Sequence, residues 1–359
     1  MLIRSLLPIA IVAATAFGAV SAPHPAAPHR TAAPNASETT CDFDGNGHND
    51  LAVGVPGEDN RGAVNIQRHD GNFVTLPSII RAPSDVEGGS NFGAALSCGD
   101  FDHDGIDDLA IGAPKAPPGG RVYIYWGDKD RPLGRYDWFS QNNSHIPGQA
   151  HHGELFGFSL ETGDFNADGR DDLAVGIPRD SDPSDDPHKA TGTVAVIYGS
   201  ALGWNAGPLG PVSLLTGWHR IHPGETSLQN FGWSLAAAPL VSGEGDDLAV
   251  GAPFTNVVAP GGSNCTFGCV FEAGRVYLFR SHLDDLLPYD ILDTDDFALP
   301  GSQYLAHFGV SLATGDFNGD GQVGLAIGAP HYDVPGAIAA GLVYVAHGSP
   351  SGPLPSYEG

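Results

Sequence analysis

Basic residues are scarce in this chain: 16 Lys and Arg stand against 42 Asp and Glu, a formal net charge of −26. So acidic a surface is repelled by nucleic-acid phosphates and anionic lipid, which argues against sequence-independent binding to either. Beyond the first twenty residues no apolar run approaches the length of a membrane span. Catalytic signatures are missing too. The sequence holds no Gly-x-Ser-x-Gly elbow, no phosphate-binding glycine loop and no His pair in a metalloprotease pattern. The nearest clusters, His151-His152 with Glu154 and His219 with His222, read as solvated loop residues. These absences weigh against an enzyme. There is no Arg-Gly-Asp tripeptide, and Cys occurs four times.

Glycine and proline, by contrast, are plentiful at 50 and 29. Both are costly inside helices and suit short strands joined by turns. Residues 1–22 read as a signal peptide: Arg4 gives the positive start, Leu6 to Val20 the apolar run, and Val20-Ser21-Ala22 a small-residue cleavage pattern. The Ala/Pro-rich stretch 23–40 has no apolar period and reads as a linker or propeptide. Export to an oxidising compartment, hence a secreted protein with no membrane span once the signal is removed, suits the cysteines. Their spacing favours Cys41–Cys98, at nearly the same place in two successive repeats, and Cys265–Cys269, closing a small loop. A zinc site is the rival use, but the spacing is not that of paired zinc knuckles. Sequons at Asn35, Asn142 and Asn264 matter only if the host glycosylates exported proteins.

Residues 41–348 are built of five repeats. The best preserved runs Asp164-Phe165-Asn166-Ala167-Asp168-Gly169-Arg170-Asp171-Asp172-Leu173 and closes on Gly176-Ile177-Pro178. Versions start at Asp42, Asp100 and Asp316; the fourth repeat keeps only the second half, Asp246 to Pro253. Ahead of each loop but the first stands a Phe-Gly element: Phe92-Gly93, Phe156-Gly157, Phe231-Gly232 and Phe308-Gly309. Behind it lies a β-branched and aromatic run, as in Arg121-Val122-Tyr123-Ile124-Tyr125. A fourth, weaker strand is expected between repeats, at Phe73–Leu76 or Val212–Leu215. Four strands per unit at a period of roughly 60 to 80 residues is a blade pattern. The expected fold is therefore all-β, a β-propeller of four-stranded blades, followed by a Pro/Ser/Gly tail at 349–359.

The loop has the oxygen pattern of a calcium site. Numbered from its first Asp, positions one, three, five and nine offer side-chain oxygens, position seven a carbonyl, and Gly at six permits the sharp turn. The expected ligands are Asp42, Asp44, Asn46, the His48 carbonyl and Asp50 in repeat one. Repeat two supplies Asp100, Asp102, Asp104, the Ile106 carbonyl and Asp108. Repeat three supplies Asp164, Asn166, Asp168, the Arg170 carbonyl and Asp172. Repeat five has Asp316, Asn318, Asp320 and the Gln322 carbonyl, but Gly324 replaces the acid at nine, so weaker binding is expected. Repeat four, with Pro239, Val241 and Gly243 at one, three and five, has no site. Three Ca²⁺ sites and a weaker fourth are expected. The competing reading is a set of metal-free Asp/Asn/Gly turns.

Phe-Gly, an Asp-rich loop and a terminal Gly-Ala-Pro (Gly112-Ala113-Pro114, Gly251-Ala252-Pro253, Gly328-Ala329-Pro330) resemble the FG-GAP repeat of the integrin α-subunit N-terminal propeller. The resemblance implies calcium in hairpin loops on one face and ligand recognition on the other. It implies a ring of seven blades, where five repeats are visible and the first lacks its Phe-Gly strand. Either the ring is small or incomplete, or the chain is a fragment. The expected function is a secreted calcium-binding adhesion or ligand-binding module whose partner is an extracellular protein or glycan. The alternative is an exported hydrolase, or its accessory propeller, with a site in the central depression. Tyr136-Asp137-Trp138-Phe139, Trp204 and Trp218 are candidates for a binding surface or for packing between blades.

Overall fold

A computed structural model describes residues 41–71, 78–84, 86, 88–142, 146, 149–180, 192–199, 212–216, 229–241, 245–258, 269–282, 285–293, 304–348 and 354–355. Blade 1 holds β1 (Leu51–Val55), β2 (Ala63–Gln67) and β3 (Ser78–Arg81). Blade 2 holds β4 (Ala95–Gly99), β5 (Asp108–Ala113), β6 (Arg121–Tyr125) and β7 (Tyr136–Phe139). Blade 3 holds β8 (Ser159–Gly163), β9 (Asp172–Ile177), β10 (Thr193–Ile197) and β11 (Val212–Thr216). Blade 4 holds β12 (Ser234–Ala238), β13 (Asp247–Ala252), β16 (Arg275–His282) and β17 (Asp285–Leu292). Its second connection carries a small hairpin, β14 (Val257–Val258) and β15 (Cys269–Val270). Blade 5 holds β18 (Ser311–Gly315), β19 (Gly324–Ala329), β20 (Leu342–His347) and β21 (Leu354–Pro355).

Each blade is an antiparallel meander in chain order. Hydrogen bonds set the innermost strands side by side: Ser97 Oγ lies 2.6 Å from Thr162 Oγ1, Ala237 N–H donates to Glu161 at 3.4 Å, and Thr314 Oγ1 donates to the Ala237 carbonyl at 3.3 Å. The protein is thus an all-β propeller of four-stranded blades. Among the described residues blade 1 has three strands, and no strand pairing joins blade 5 to blade 1. The expected strand at Phe73–Leu76 lies outside the described residues, and the outer strand seen is β3. The expected strand at Val212 is β11. Within the tail, β21 pairs with β20 through Ala346↔Pro355 and His347↔Leu354.

A blade cannot bury both faces alone, so the core consists of four apolar slabs, one between each successive pair. The motif glycines fix the spacing of the slabs. A Cβ on Gly112 would stand 2.2 Å from the Gly157 carbonyl oxygen of the next blade, and Gly54, Gly176 and Gly251 meet Gly93, Gly232 and Gly309 in the same way at 2.0–2.2 Å. The second glycine of each pair has φ of +81° to +86°, a left-handed conformation that side chains resist. The Phe before it is fully buried in all four copies, and Phe92, Phe156 and Phe308 each pair with a glycine of the preceding blade, as in Gly120↔Phe156. Cys41 and Cys98 form a disulfide with a Cα separation of 6.2 Å, tying blade 1 to blade 2 across 57 residues. In the chain-entropy view such a crosslink contributes roughly 4 kcal/mol. The expected Cys265–Cys269 bridge lies outside the described residues.

Candidate metal centre

In blades 2, 3 and 5 the Asp loop joins the innermost strand to the second; in blade 1 it leads into β1. The first Asp organises the loop. Asp100 accepts from the N–H groups of Asp104 and Gly105, both at 2.9 Å, and Asp164 from Asp168 and Gly169 at 3.0 and 2.9 Å. Asp42 and Asp316 do the same with Asn46/Gly47 and Asp320/Gly321. Position five accepts from position seven at 2.8–3.0 Å, through Asn46–His48, Asp104–Ile106, Asp168–Arg170 and Asp320–Gln322. These N–H bonds curl the loop around its first and fifth side chains.

In blades 1 and 2 the carboxylates converge. Ligand oxygens of Asp42, Asp44 and Asp50 lie within 4.8 Å of one another, as do those of Asp100, Asp102 and Asp108. One oxygen of Asp44 and one of Asp102 are buried without any hydrogen-bond donor. An unpartnered, buried carboxylate oxygen beside two further carboxylates fits a hard cation. Burial, then mutual repulsion and the loss of water, shows in the acidities. Burial pushes Asp50, Asp102 and Asp164 up to about 6, with neighbouring Asp charges adding to the rise. Asp108 and Asp172 are pushed well above the usual range by burial. A divalent ion would relieve this crowding.

Blades 3 and 5 differ. In blade 3, Asp164, Asn166 and Asp172 share the loop, while Asp168 also holds Arg170 at 2.8 Å. In blade 5 the loop is exposed, Asn318 Nδ2 donates to Asp320 at 2.9 Å, and Gly324 leaves position nine without a side-chain oxygen. The N–H bond from Gly321, ahead of those from Gly319 and Asp320, holds Asp316 below the usual carboxylate range.

Position nine has a second duty that the sequence reading overlooked. Asp108 accepts from Phe101 N–H at 3.1 Å and from Gly127 N–H at 2.8 Å, bracing the loop to the end of the third strand. Asp50 and Asp172 do the same with Phe43/His69 and Phe165/Gly199. Asp247 of blade 4 makes the equivalent bonds to Val241 and Ser281 although its loop has no ligand set.

Position eight was missed altogether. Asp107 accepts from Asp42 N–H at 2.6 Å, Asp171 from Asp100 at 2.9 Å, and Asp246 from Asp164 at 3.1 Å. Each bond latches one loop to the next blade. Burial pushes Asp107 up to about 8 and Asp171 up to about 7. The latch stops where its donor stops: position one of blade 4 is Pro239, which has no N–H, and position eight of blade 5 is Val323. The Asp-Asp pair retained in the ligand-poor fourth repeat was the available signal.

The histidine cluster resolves as structure. Both oxygens of buried Glu154 are engaged by His151, through its N–H at 2.6 Å and its Nδ1 at 2.8 Å. Tyr136 and Trp138 lie on the outer strand β7, where Arg121 covers Trp138 at 4.3 Å. His219, His222, Trp204 and Trp218 lie outside the described residues.

The FG-GAP repeat family matches residues 34–66, 92–125, 156–197 and 308–345. Integrin alpha-PS2 of Drosophila melanogaster is 33% identical over 201 residues, covering 55% of this chain and 12% of that protein. Phosphatidylinositol-glycan-specific phospholipase D of Bos taurus is 31% identical over 232 residues, covering 62% and 25%. Integrin alpha-7 of Mus musculus is 31% identical over 210 residues, covering 56% and 15%. The chain therefore spans a quarter or less of the length of these relatives. Among solved structures, an exotype rhamnogalacturonan lyase, YesX, aligns at a TM-score of 0.38 and 13% identity, covering 75% of this chain and 47% of that one, a likeness too low to argue from.

Proposed function

We propose that this integrin-α-like FG-GAP repeat protein is a secreted, calcium-stabilised propeller that works as an adhesion or ligand-binding module for an extracellular protein or glycan. The observation that carries the calcium reading is the pair of buried, donor-less oxygens on Asp44 and Asp102 inside three-carboxylate clusters. Asp42, Asp44, Asn46, His48 and Asp50 would hold one ion, Asp100, Asp102, Asp104, Ile106 and Asp108 a second, and Asp164, Asn166, Asp168, Arg170 and Asp172 a third. Asp316, Asn318, Asp320 and Gln322 would hold a fourth more weakly. The ion supplies charge neutralisation and ties the loop into the blade; it does no chemistry. The ligand face lies at the opposite end of the blades, where the Phe-Gly and Gly-Ala-Pro elements meet. Residues 1–22 serve as the export signal and 23–40 as a linker or propeptide. A disulfide between blades suits that destination, and no described helix is long and apolar enough to cross a membrane.

Immobilised full-length protein, screened against matrix-protein and glycan arrays in calcium and in chelator, tests the reading. It expects calcium-dependent binding to at least one class, and the absence of any ligand in calcium counts against it. The similarity to a phospholipase D favours a second reading, an accessory propeller of a hydrolase. Esterase, phosphodiesterase and glycosidase substrates separate the two, since turnover by the purified chain supports only the second.

A further inference from the structure

On the face opposite the Asp loops, blade 5 carries two histidines that no other blade carries. His307 stands just before Phe308-Gly309, where blades 2, 3 and 4 have Asn91, Leu155 and Asn230. His331 follows Gly328-Ala329-Pro330, where the earlier blades have Gly57, Lys115, Arg179 and Phe254. The repeated frame sets these positions side by side, and His331 N–H reaches the Ala306 carbonyl at 3.4 Å. Their Nδ1 atoms lie 2.9 Å apart. His307 Nε2 is 3.0 Å from Glu272 Oε2, and Phe254 packs on its ring at 4.9 Å between centroids.

The geometry points to a zinc-class divalent metal site formed by His307 Nδ1 and His331 Nδ1, with Glu272 as its positioning residue. A carboxylate accepting from Nε2–H fixes the tautomer that leaves the Nδ1 lone pair of His307 free for a metal. His331 is exposed and can place its proton on Nε2 toward water, which leaves two Nδ1 lone pairs on atoms 2.9 Å apart for one ion. Tetrahedral zinc at 2.0–2.1 Å from each nitrogen needs them about 3.3 Å apart, so exposed His331 must retreat by about 0.4 Å. The bland alternative is an N–H···N hydrogen bond between the two rings. Imidazole nitrogen is a poor ligand for calcium and a good one for zinc, so the two kinds of site would not compete. Two protein ligands leave two coordination positions open. Phe271 and Tyr304, 53% and 54% exposed with rings 6.4 Å apart, stand nearby, because Leu305 N–H bonds the Phe271 carbonyl and His307 N–H the Glu272 carbonyl. A partner's carboxylate or imidazole could complete the metal while its apolar groups meet these rings.

The test is zinc titration calorimetry on full-length protein stripped of metal and reloaded with saturating calcium. One zinc site is expected, weakened more than tenfold in His331→Ala and in His307→Ala, and about 10- to 100-fold in Glu272→Gln. Calcium stoichiometry should not change in any of them. His331 is exposed, so its variant keeps the test decisive should His307→Ala misfold. No saturable zinc binding up to 1 mM (~1 mM being the weak end of site-specific affinity), or an isotherm unaltered by His331→Ala, would overturn the assignment. The titration uses zinc alone, so its failure leaves the ligand-binding reading standing, and the failure of the arrays leaves the zinc site standing.

Discussion

Asp164 and Asp316 occupy the same position in loops of the same length and accept the same two backbone N–H bonds. Burial pushes the first up to about 6, whereas those bonds hold the second below the usual range. What differs is the neighbour. Blade 4 covers the loop of blade 3, so Phe165 beside Asp164 is fully buried; Phe317 beside Asp316 is 47% exposed. Val343 is likewise 66% exposed where Val122, Val194 and Val276 are buried. The crowding that a cation would relieve therefore comes from blade stacking as much as from the acids. A covered loop loses its water and gains crowded charge, while an open loop keeps both its water and its anion.

The largest break in that comparison should come from position nine. Asp108→Ala removes a carboxylate of the proposed calcium set and leaves two buried N–H groups unpaired, a loss of about 4 kcal/mol in calcium by denaturant titration. Gly324→Asp, which supplies the missing acid in blade 5, should instead raise calcium affinity there, at a stability cost of roughly 2 kcal/mol because its Cβ meets the Ala346 carbonyl oxygen at 2.6 Å. Next come the packing glycines. Gly176→Ala should cost roughly 2–3 kcal/mol because its Cβ meets the Gly232 carbonyl, while Gly328→Ala meets only its own blade's Ser311 hydroxyl and should cost under about 1. Equal losses at the two would remove the distinction between covered and open blades.

The pH response is expected to be of intermediate size and has a definite sign. In chelator, the raised carboxylates of Asp50, Asp102 and Asp164 bind protons more tightly folded than unfolded. Their stabilising effect is present below the unfolded value near 4 and is lost as pH rises through about 6, about 2 kcal/mol in all after screening. Saturating calcium should flatten or invert that slope, since metal replaces the protons. A metal-free protein that gains stability from pH 4 to 7 would contradict the acidities. The smallest effect belongs to the latch: Asp107→Ala should cost about 1 kcal/mol through the lost Asp42 N–H bond. Val323→Asp should give nothing back, because Pro239 offers no donor.

Strand positions were legible because each blade repeats the same strand pattern with Phe-Gly at one end and Gly-x-Pro at the other. Arg121–Tyr125 and Val212–Leu215 were readable for that reason, and Cys41–Cys98 because the repeats place both at one level. The two acids at positions eight and nine were not separable by eye. Asp107 and Asp108 are the same residue type side by side, yet one faces the preceding blade and the other its own hairpin. Besides the Asp246-Asp247 pair kept in the ligand-poor fourth repeat, the pairing of Pro239 with Val323 betrays the difference, and it spans a blade boundary. The His307–His331 pair was equally hidden, since 24 residues separate two positions that the frame brings to 2.9 Å.

The central claim, that the covered loops are cation sites and the open one is a weaker cousin, is tested most directly by calcium titration calorimetry on chelator-stripped, full-length protein. Three sites of similar affinity with a fourth, weaker one are expected, and the weak one should disappear in Asp316→Ala. Protein that binds no calcium, and melts at the same temperature with and without it, would contradict the account.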